Sequence, residues 1–393
     1  MKYDLLIENV NVVLPDSILE DMNVGIQGGI IVSVFSSSEE AGAKAEEVYD
    51  GEGGYLSPGF IDLHIHGVGG LQFDNGPEEL GKICKLLPSY GVTGVLAGVL
   101  PLPYGEDTAF IESLSDKTYE GTELLGFFFE GPFLGLPGAI SPGSLKKRTT
   151  ERASAMIESA RPYRSIFAVS PEVDNASELI PLMKGDGNPV FITHTAADVS
   201  QTLSAIEKGA RHATHFYDVF PCPSERDPGV RPCGAVEAIL AEPEVSVDFI
   251  LDSEHVDPVA VKMALACKGP DKVCLITDAS PGAGLPPGVY GGIGDMEVSF
   301  AYEGAPARGT AKSRCPGGLA GSGLTMDKAV RNAVKLLGID IPAALRMASL
   351  NPAAVLGLDN KLGKVKDGYS ASLVLLDEGL MVKASWVAGR KVF

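Results

Sequence analysis

Apolar and polar positions follow two different periods along the chain. Near both ends, short β-rich runs are broken by glycines and turn residues, as in Tyr3–Val10, Ile30–Val34 and Val382–Val387, which is typical of short strands. Neither end can bury a sheet face alone. We therefore predict that residues 1–55 and 359–393 together build one small β-sandwich.

Between these ends, short apolar segments alternate with stretches of helical period. Val199, Leu203 and Ile206, for example, are spaced to fall on one helical stripe. Eight apolar segments resemble buried strands: Leu56–Leu63, Thr93–Val99, Leu124–Phe129, Ser165–Val169, Pro189–Thr193, His212–His215, Val245–Leu251 and Lys272–Thr277. Eight strand–helix repeats favour an α/β fold of the (β/α)8 TIM-barrel type over an open doubly wound sheet, and we predict this barrel for residues 56–358.

Two further features bear on this prediction. No G-x-G-x-x-G motif follows the first strand, which disfavours a dinucleotide-binding fold. Residues 279–323 are rich in Gly and Pro and are too long for an ordinary strand–helix loop. We expect this segment to be a functional or mobile loop.

Composition excludes several classes of protein. The 393 residues carry 32 basic and 51 acidic side chains, a formal charge of −19, which argues against binding to nucleic acid or to anionic membranes. No apolar stretch reaches the roughly 18 residues that a membrane span requires. The first eight residues carry acids where a signal peptide would be apolar. The six cysteines form no CxxC pair, so we expect free thiols in a reducing cytoplasm.

Polar side chains with metal-binding or acid–base chemistry follow the predicted strands. They are His64, His66, Glu130, His194, His215, His255 and Asp278. Active sites of (β/α)8 barrels lie at the C-terminal ends of the strands. These side chains are therefore expected to share one mouth of the barrel.

The pattern of these residues indicates a metal centre. His64 and His66 alternate on a strand and face the same side of it, which favours a paired metal site over a lone core histidine. Glu130 follows three phenylalanines, where an unpaired carboxylate is costly to bury. Imidazole ligands suit zinc or iron, and a set of two histidines and one glutamate leaves a position open for water.

Two other polar residues have alternative interpretations. Asp278 could cap a helix, but its place at the barrel mouth favours a catalytic role. His212 lies three residues before His215 and is predicted to face away from it. We interpret His212 as structural.

Several motifs, in a consistent order, resemble the amidohydrolase superfamily and, more narrowly, the N-acetylglucosamine-6-phosphate deacetylases. The motifs are Pro58–Gly67, Glu130–Leu134, His194–Ala197, Thr214–Asp218, Asp252–Val256, Leu275–Ala279, Leu319–Met326, Asn351–Ala353 and Leu362–Val365. Together they cover nearly the whole chain. The resemblance implies a barrel with a β-sandwich, a divalent metal, and hydrolysis of an acetamide on an amino sugar phosphate.

The resemblance also implies a role for individual residues. Glu130, His194 and His215 match the ligands of a principal metal ion, and His64 and His66 match positions that support a second ion in some members. One or two ions per subunit, zinc or iron, are therefore expected.

On the substrate side, Asp278 matches the catalytic acid/base, and His255 matches the residue that contacts the substrate carbonyl. Further matches to substrate contacts are Ala139, Asp218, Val219, Leu319 and Ala320. Arg226 matches a phosphate-binding arginine that reaches the neighbouring subunit's site, which implies a homodimer.

The chain departs from the family pattern at two positions. Ile140 replaces a substrate-contacting histidine, and Asp218 replaces an asparagine. Both changes concern the substrate rather than the metal. The expected substrate is N-acetylglucosamine 6-phosphate, and the alternative is another N-acyl amino sugar or one that lacks the 6-phosphate.

Two rival functions stay open from the sequence. Cyclic-amide hydrolases bridge two metals with a carboxylated lysine on a mid-barrel strand, whereas Ser165–Val169 is followed by Ser-Pro-Glu with no lysine. A non-catalytic scaffold that has lost its metal predicts missing ligands, and none is missing from the sequence.

Overall fold

Eight parallel strands form the central sheet of the computed structural model, which describes residues 2–36, 38, 44–225 and 227–393. The strands are Phe60–Ile65, Val92–Val99, Glu123–Phe129, Arg164–Val169, Val190–Ile192, Ala210–Ala213, Ser246–Ile250 and Val273–Ile276. Each strand pairs with the next one along the chain. The predicted (β/α)8 barrel is confirmed.

Hydrogen bonds between the first and last strands bring the two edges of this sheet together. The backbone N–H of Asp278 donates to the carbonyl of His64 (2.8 Å), and that of His66 donates to the carbonyl of Ala279 (2.9 Å). The buried carboxylate of Asp62 accepts from the hydroxyl of Thr277 at 2.6 Å. The first and eighth strands are thereby locked together directly beneath the predicted mouth.

Ten α-helices lie between or after the strands in the described part of the chain. They are Pro77–Leu86, Asp107–Ser115, Thr150–Ala160, Ala176–Met183, Val199–Lys208, Ala235–Ala241, Pro258–Lys268, Met326–Asn332, Ile341–Ala348 and Leu350–Val355. Short 3-10 segments cover Phe73–Asn75, Leu87–Tyr90, Pro142–Leu145, Gly185–Gly187 and Pro270–Lys272, and a π-helical turn covers Ala333–Leu337. None of the helices in these described ranges is both long enough and apolar enough to cross a bilayer.

The helix Val199–Lys208 begins at Asp198, whose side chain accepts the N–H of Gln201 in a capping box. Its buried face differs from the predicted stripe. Ala205 and Ile206 are buried, but Leu203 is 39% exposed. The helical spacing of the apolar residues correctly predicted a helix. Which face of the helix is buried depends on how it packs against the barrel.

Strands from both chain ends form a second sheet of eight strands. They are Lys2–Val13, Ile18–Gln27, Ile30–Ser36, Lys44–Asp50, Tyr55–Pro58, Leu373–Leu376, Val382–Val387 and Arg390–Lys391. The strands share one apolar cluster that includes Leu5, Ile26, Leu56, Leu373 and Trp386. The two ends thus build one sheet domain, as the resemblance implied.

The single strand predicted over Leu56–Leu63 is wrong, because the chain changes sheets at Gly59. Tyr55–Pro58 pairs with Leu373–Leu376, whereas the strand that starts at Phe60 belongs to the barrel. A side chain at Gly59 would place its Cβ 2.1 Å from Thr93. The passage into the barrel therefore comes slightly later than the boundary at residue 55.

Much of the predicted loop 279–323 is a four-stranded antiparallel sheet. Its strands are Gly288–Gly291, Glu297–Phe300, Pro306–Gly309 and Leu319–Ser322, and we refer to residues 288–322 as the lid sheet. Met296, Val298, Phe300 and Ala320 are buried in a small apolar cluster of its own. A two-stranded hairpin, Gly67–Val68 with Leu71–Gln72, lies just after the first barrel strand.

Candidate active site

Four histidines surround Glu130 at the C-terminal ends of the barrel strands. Oε1 of Glu130 lies 3.1 Å from Nε2 of His194 and 3.1 Å from Nε2 of His215. Oε2 lies 3.1 Å from Nε2 of His66 and 3.7 Å from Nε2 of His64. All five side chains are buried. One carboxylate therefore faces two pairs of imidazoles, with one oxygen toward each pair.

Asp278 adds a second carboxylate to this group. Its Oδ1 is buried without a hydrogen-bond partner and lies 3.5 Å from Nε2 of both His64 and His66. Nε2 of His64 also lies 3.0 Å from Nε2 of His66. Imidazole nitrogens that face one another and unsatisfied carboxylate oxygens are the environment that a divalent cation satisfies.

Two triplets in the described residues have ligand atoms that all lie within 4.8 Å of one another. One is His64, Glu130 and His215, and the other is His64, His66 and Asp278. His194 belongs to neither triplet, although its Nε2 contacts Glu130. The donor set fits a metal centre and offers positions for two ions.

The outer ring nitrogens of two histidines are held by neighbouring groups. Nδ1 of His194 lies 2.9 Å from the carbonyl oxygen of Leu136, and Nδ1 of His64 lies 3.1 Å from Oγ1 of Thr214. Such contacts fix the ring direction and leave Nε2 of each histidine facing Glu130. Sequence analysis did not identify Thr214 in this role, although it stands next to His215.

Three residues of the site, each just beyond the end of its strand, have left-handed backbone conformations. The φ angles are +49° for His194, +33° for His215 and +44° for Asp278. Such a conformation costs about 1–3 kcal/mol outside glycine and persists only where surrounding contacts enforce it. At His194, the hydroxyl of Ser170 donates to the residue's carbonyl at 2.8 Å.

The charges in the site are strongly coupled. Burial by itself would raise the pKa of Glu130, but the attraction of His64 and hydrogen bonds from His194 and His215 hold that pKa well below its ordinary value. Burial opposes the charged forms of His66 and His215, yet Glu130 raises the pKa of each to about 9. A doubly charged cation would replace the protons that this carboxylate attracts.

His255 forms a buried pair with Asp252. Its Nδ1 lies 2.7 Å from Oδ2 of Asp252, and Oδ1 of Asp252 accepts the backbone N–H of His255 at 2.9 Å. Burial disfavours the imidazolium, but the hydrogen bond and charge of Asp252 outweigh this and raise the pKa of His255. The other ring nitrogen, Nε2, is left to interact with groups in the cavity that His255 lines.

A cavity of about 290 Å³ adjoins the convergent ligands. Its wall contains the predicted substrate contacts that the structure describes: Ala139, Asp218, Val219, His255, Leu319 and Ala320. An apolar surface of the cavity is formed by Ile140, Ile250 and Ile293. Of these three, the sequence pointed only to Ile140, where the family pattern has a histidine. No Lys or Arg lines this cavity among the described residues, and Arg226 lies outside them.

Asp218 places a carboxyl group with one unsatisfied oxygen in the cavity wall. Its Oδ2 is buried without a hydrogen-bond partner. Burial raises the pKa of Asp218 to about 7, although the charges of His255 and His215 oppose this effect. The position where the family resemblance suggests an amide therefore holds an acid whose second oxygen is available to a substrate group.

The lid sheet is fastened on two sides of the cavity. Arg314 donates to the carbonyl of Ala139 from Nε at 2.9 Å and from Nη2 at 2.6 Å. On the other side, Glu254 accepts from Nη2 of Arg308 at 2.9 Å and from the hydroxyl of Tyr302. Ala139 lines the cavity, and so does His255, which follows Glu254 in the chain. These contacts therefore connect the lid sheet to the wall of the cavity.

Comparisons with known proteins agree with this geometry. The sequence model of the amidohydrolase family matches residues 288–392. The chain is 31% identical to the N-acetylgalactosamine-6-phosphate deacetylase of Escherichia coli O157:H7, with 95% of each protein covered. It is also 31% identical to the N-acetylglucosamine-6-phosphate deacetylase of Vibrio furnissii, over 86% of this chain and 83% of that protein.

Solved structures share the whole architecture. The N-acetyl-D-glucosamine-6-phosphate deacetylase of Mycobacterium smegmatis superposes with a TM-score of 0.87 at 27% identity, over 99% of this chain and 100% of that one. A zinc-bound adenosine deaminase from Xanthomonas campestris has the same fold, with a TM-score of 0.60 at 17% identity, over 99% of this chain and 93% of that one.

Proposed function

Because the chain belongs to the N-acetylglucosamine-6-phosphate deacetylase family of the amidohydrolase superfamily, we propose that it hydrolyses the acetamide of an N-acetyl amino sugar 6-phosphate. The products are acetate and the free amino sugar phosphate. The observation that carries this proposal is the convergence of Glu130, Asp278 and four histidines beside a substrate-sized cavity.

The residues that hold the metal in this proposal form two sets around Glu130. His194 and His215 accompany Oε1, while His64 and His66 accompany Oε2. Zinc or iron suits a set of imidazoles and carboxylates. A divalent ion held by these residues would supply Lewis acidity and would lower the pKa of water toward about 7.

Asp278 and His255 perform the proton chemistry and the charge stabilisation. Oδ1 of Asp278, which has no hydrogen-bond partner, takes the proton of the attacking water and later gives it to the departing amine. The ring nitrogen of His255 that is not bonded to Asp252 donates to the substrate carbonyl oxygen as negative charge develops there. Without the second proton transfer, the amine is too basic to leave.

Two substrates are candidates for this chemistry. The relatives from Vibrio furnissii and Lysinibacillus sphaericus are named as deacetylases of N-acetylglucosamine 6-phosphate, whereas the relative from E. coli O157:H7 is named as a deacetylase of N-acetylgalactosamine 6-phosphate. The unpaired carboxylate of Asp218 and the apolar side chain of Ile140 favour a site that differs from the common pattern. Ala139, Val219, Leu319 and Ala320 supply the remaining contacts in either case.

Acetate release from a small panel of sugars tests the proposal. The panel contains both N-acetylhexosamine 6-phosphates and their unphosphorylated counterparts, and Asp278→Asn protein serves as the inactive control. We expect wild-type protein to release acetate from at least one 6-phosphate. Release from none of the four, with metal supplied, would reject the proposed function, and preference for an unphosphorylated sugar would replace its substrate.

We also propose that the protein is a homodimer in which Arg226 contacts the phosphate bound by the neighbouring subunit. The absence of Lys and Arg from the described cavity wall supports a cation supplied from elsewhere. Mixing two inactive variants, Arg226→Ala and Asp278→Asn, tests this point because one site of each mixed dimer has both residues. Recovery of activity after subunit exchange is expected, and no recovery from verified mixed dimers would exclude it.

A cytoplasmic location is proposed as well. All six cysteines, each within the described residues, are unpaired. Free thiols are typical of reducing compartments.

The rival functions fit the site less well. A cyclic-amide hydrolase of the type considered above needs a carboxylated lysine, whereas the anionic group that lies between the two histidine pairs here is Glu130. A scaffold without catalysis does not explain an intact ligand set with Asp278 beside it. Metal content of the purified protein separates the scaffold from the enzyme.

A further inference from the structure

A second layer of buried polar groups lies beneath the metal-facing residues inside the barrel. Nε2 of His212 lies 2.7 Å from Oδ2 of Asp248, and Nδ1 of His212 lies 2.7 Å from Oγ of Ser246. His212 and Asp248 are completely buried. Both ring nitrogens are occupied, so His212 has no ligand atom to offer a metal, yet it is linked to the site through Asp248.

Asp248 makes two contacts with the chain at the metal-facing end of the neighbouring strand. Its Oδ1 accepts the backbone N–H of His215 at 2.5 Å. Its carbonyl accepts the N–H of the next residue, Phe216, at 2.9 Å. One residue therefore holds two successive amides at the point where the strand ends.

These contacts hold the backbone of His215 in an unfavourable conformation. His215 has a φ of +33°, which a residue with a side chain adopts only under constraint. This φ determines where the imidazole leaves the chain, and Nε2 of His215 must reach Oε1 of Glu130, 3.1 Å away. A carboxylate that grips the amide of His215 thus fixes the direction of a metal ligand.

His212 offsets the desolvation penalty of burying Asp248. A buried carboxylate without a partner for its second oxygen carries a large desolvation penalty. His212 satisfies that oxygen, and Phe191 packs against the imidazole with ring centroids 4.3 Å apart. The pair is therefore held rigidly on both sides.

We propose that His212 and Asp248 form a positioning pair that sets the direction of the His215 imidazole and thereby the affinity of the metal centre. This inference rests on the metal centre of the proposed function but not on its substrate. Neither residue touches the substrate or the metal in this arrangement, and both act through His215.

The affinity of the metal-free protein for Zn²⁺, measured by competition with a chelator, tests the proposal. Asp248→Ala is expected to weaken binding about 10- to 100-fold, the range found when groups that orient metal ligands are removed. Asp248→Asn is expected to stay within about threefold of wild type, because the amide oxygen still accepts from His215 and the amide N–H can face His212. Equal affinity of Asp248→Ala and wild type would overturn the proposal.

Asp107 offers a matched control for general destabilisation. Its carboxylate is also buried and is bonded at 2.8 Å by two nitrogens of Arg152, away from the metal-facing residues. Asp107→Ala is expected to lower the melting temperature while leaving the Zn²⁺ affinity unchanged. An affinity loss in Asp107→Ala as large as that in Asp248→Ala would show that the effect is merely structural and would overturn the proposal.

A second variant and a second readout keep the test decisive. If Asp248→Ala does not fold, His212→Phe preserves the ring shape beside Phe191 but removes the donor to Asp248, and weaker Zn²⁺ binding is again expected. If wild-type protein binds no metal, the proposed function fails, and the inference is judged from crystal structures of metal-free protein. A His215 ring that keeps its direction in Asp248→Ala or His212→Phe would overturn it.

Discussion

Nδ1 of His255 and Oδ2 of Asp252 are 2.7 Å apart in a buried pair at the edge of the cavity. Asp252 raises the pKa of His255, so the imidazole keeps its second proton to higher pH than an isolated histidine. If this proton stabilises the developing oxyanion, activity falls as pH rises through the raised pKa.

Asp252→Asn should therefore move the alkaline limb of the kcat/KM profile to lower pH. The amide preserves a hydrogen bond to the ring but removes the charge that stabilises the imidazolium. The profile is measured over the neutral and alkaline range with saturating metal. An alkaline limb in the same place for both proteins would contradict the role assigned to His255.

Glu130→Gln should abolish both tight metal binding and activity. The substitution removes the anionic ligand that faces all four histidines, while its volume is nearly unchanged. Metal content after dialysis and acetate release are the measurements. Glu254→Gln is the control, since that carboxylate contacts Arg308 and Tyr302 of the lid sheet rather than the histidines, and it should retain metal.

Asp278→Asn should retain metal and fold but lose about 10²- to 10⁴-fold in kcat, because it cannot shuttle the proton from water to the amine. Metal content, melting temperature and kcat are compared with wild type. Near-normal turnover would remove Asp278 from the mechanism. A variant that loses its metal would assign Asp278 to the ligands instead, in line with its 3.5 Å contacts to His64 and His66.

At a pH above the pKa of Asp218, which burial raises to about 7, Asp218→Asn should raise kcat/KM for N-acetylglucosamine 6-phosphate about tenfold, which corresponds to about 1.4 kcal/mol of relieved repulsion. The reason is that the buried, unpaired Oδ2 of Asp218 meets an anionic substrate, whereas an amide offers a donor. The reciprocal variant Ile140→His should act in the same direction. A wild type that is already efficient on this sugar and is slowed by Asp218→Asn would reject the idea of altered specificity.

Arg314→Ala should raise KM about fivefold with little change in kcat, because the segment that carries Ala139 is released from the lid sheet while the proton-transfer groups are untouched. Lys312→Ala is the matched control. Lys312 is a neighbouring cation on the lid sheet, but its side chain is 81% exposed and its Nζ lies 3.4 Å from Oε2 of Glu297. Equal KM values for the two variants would exclude a role for the Arg314 contact.

The barrel was predictable because its strands are buried on both faces. The apolar run Leu124–Phe129, for example, predicts a strand, and the structure extends this strand by one residue to Glu123. The grouping of Glu130, His194 and His215 followed from one rule, that parallel strands in a closed barrel end at the same rim. Their grouping did not depend on the details of any loop.

Other features depend on contacts that no local pattern encodes. The lid sheet has strands of only four residues, and its glycines and prolines are typical of loops, so its pairing was not visible. Asp248 was hidden for another reason. It lies in an ordinary apolar strand, and only the pairing of that strand with its neighbour brings its carboxylate to the amide of His215. The left-handed φ of His215 was equally invisible, since positive φ is uncommon in every residue other than glycine and no local pattern marks it here.

The lid sheet separates part of the cavity wall, along the chain, from the residues that face Glu130. Residues 288–322 carry their own apolar cluster and supply Ile293, Leu319 and Ala320 to the cavity wall, but they contribute none of the histidines or carboxylates that face the metal position. Substitutions within residues 288–322 would therefore reshape the cavity wall without replacing any side chain that faces Glu130.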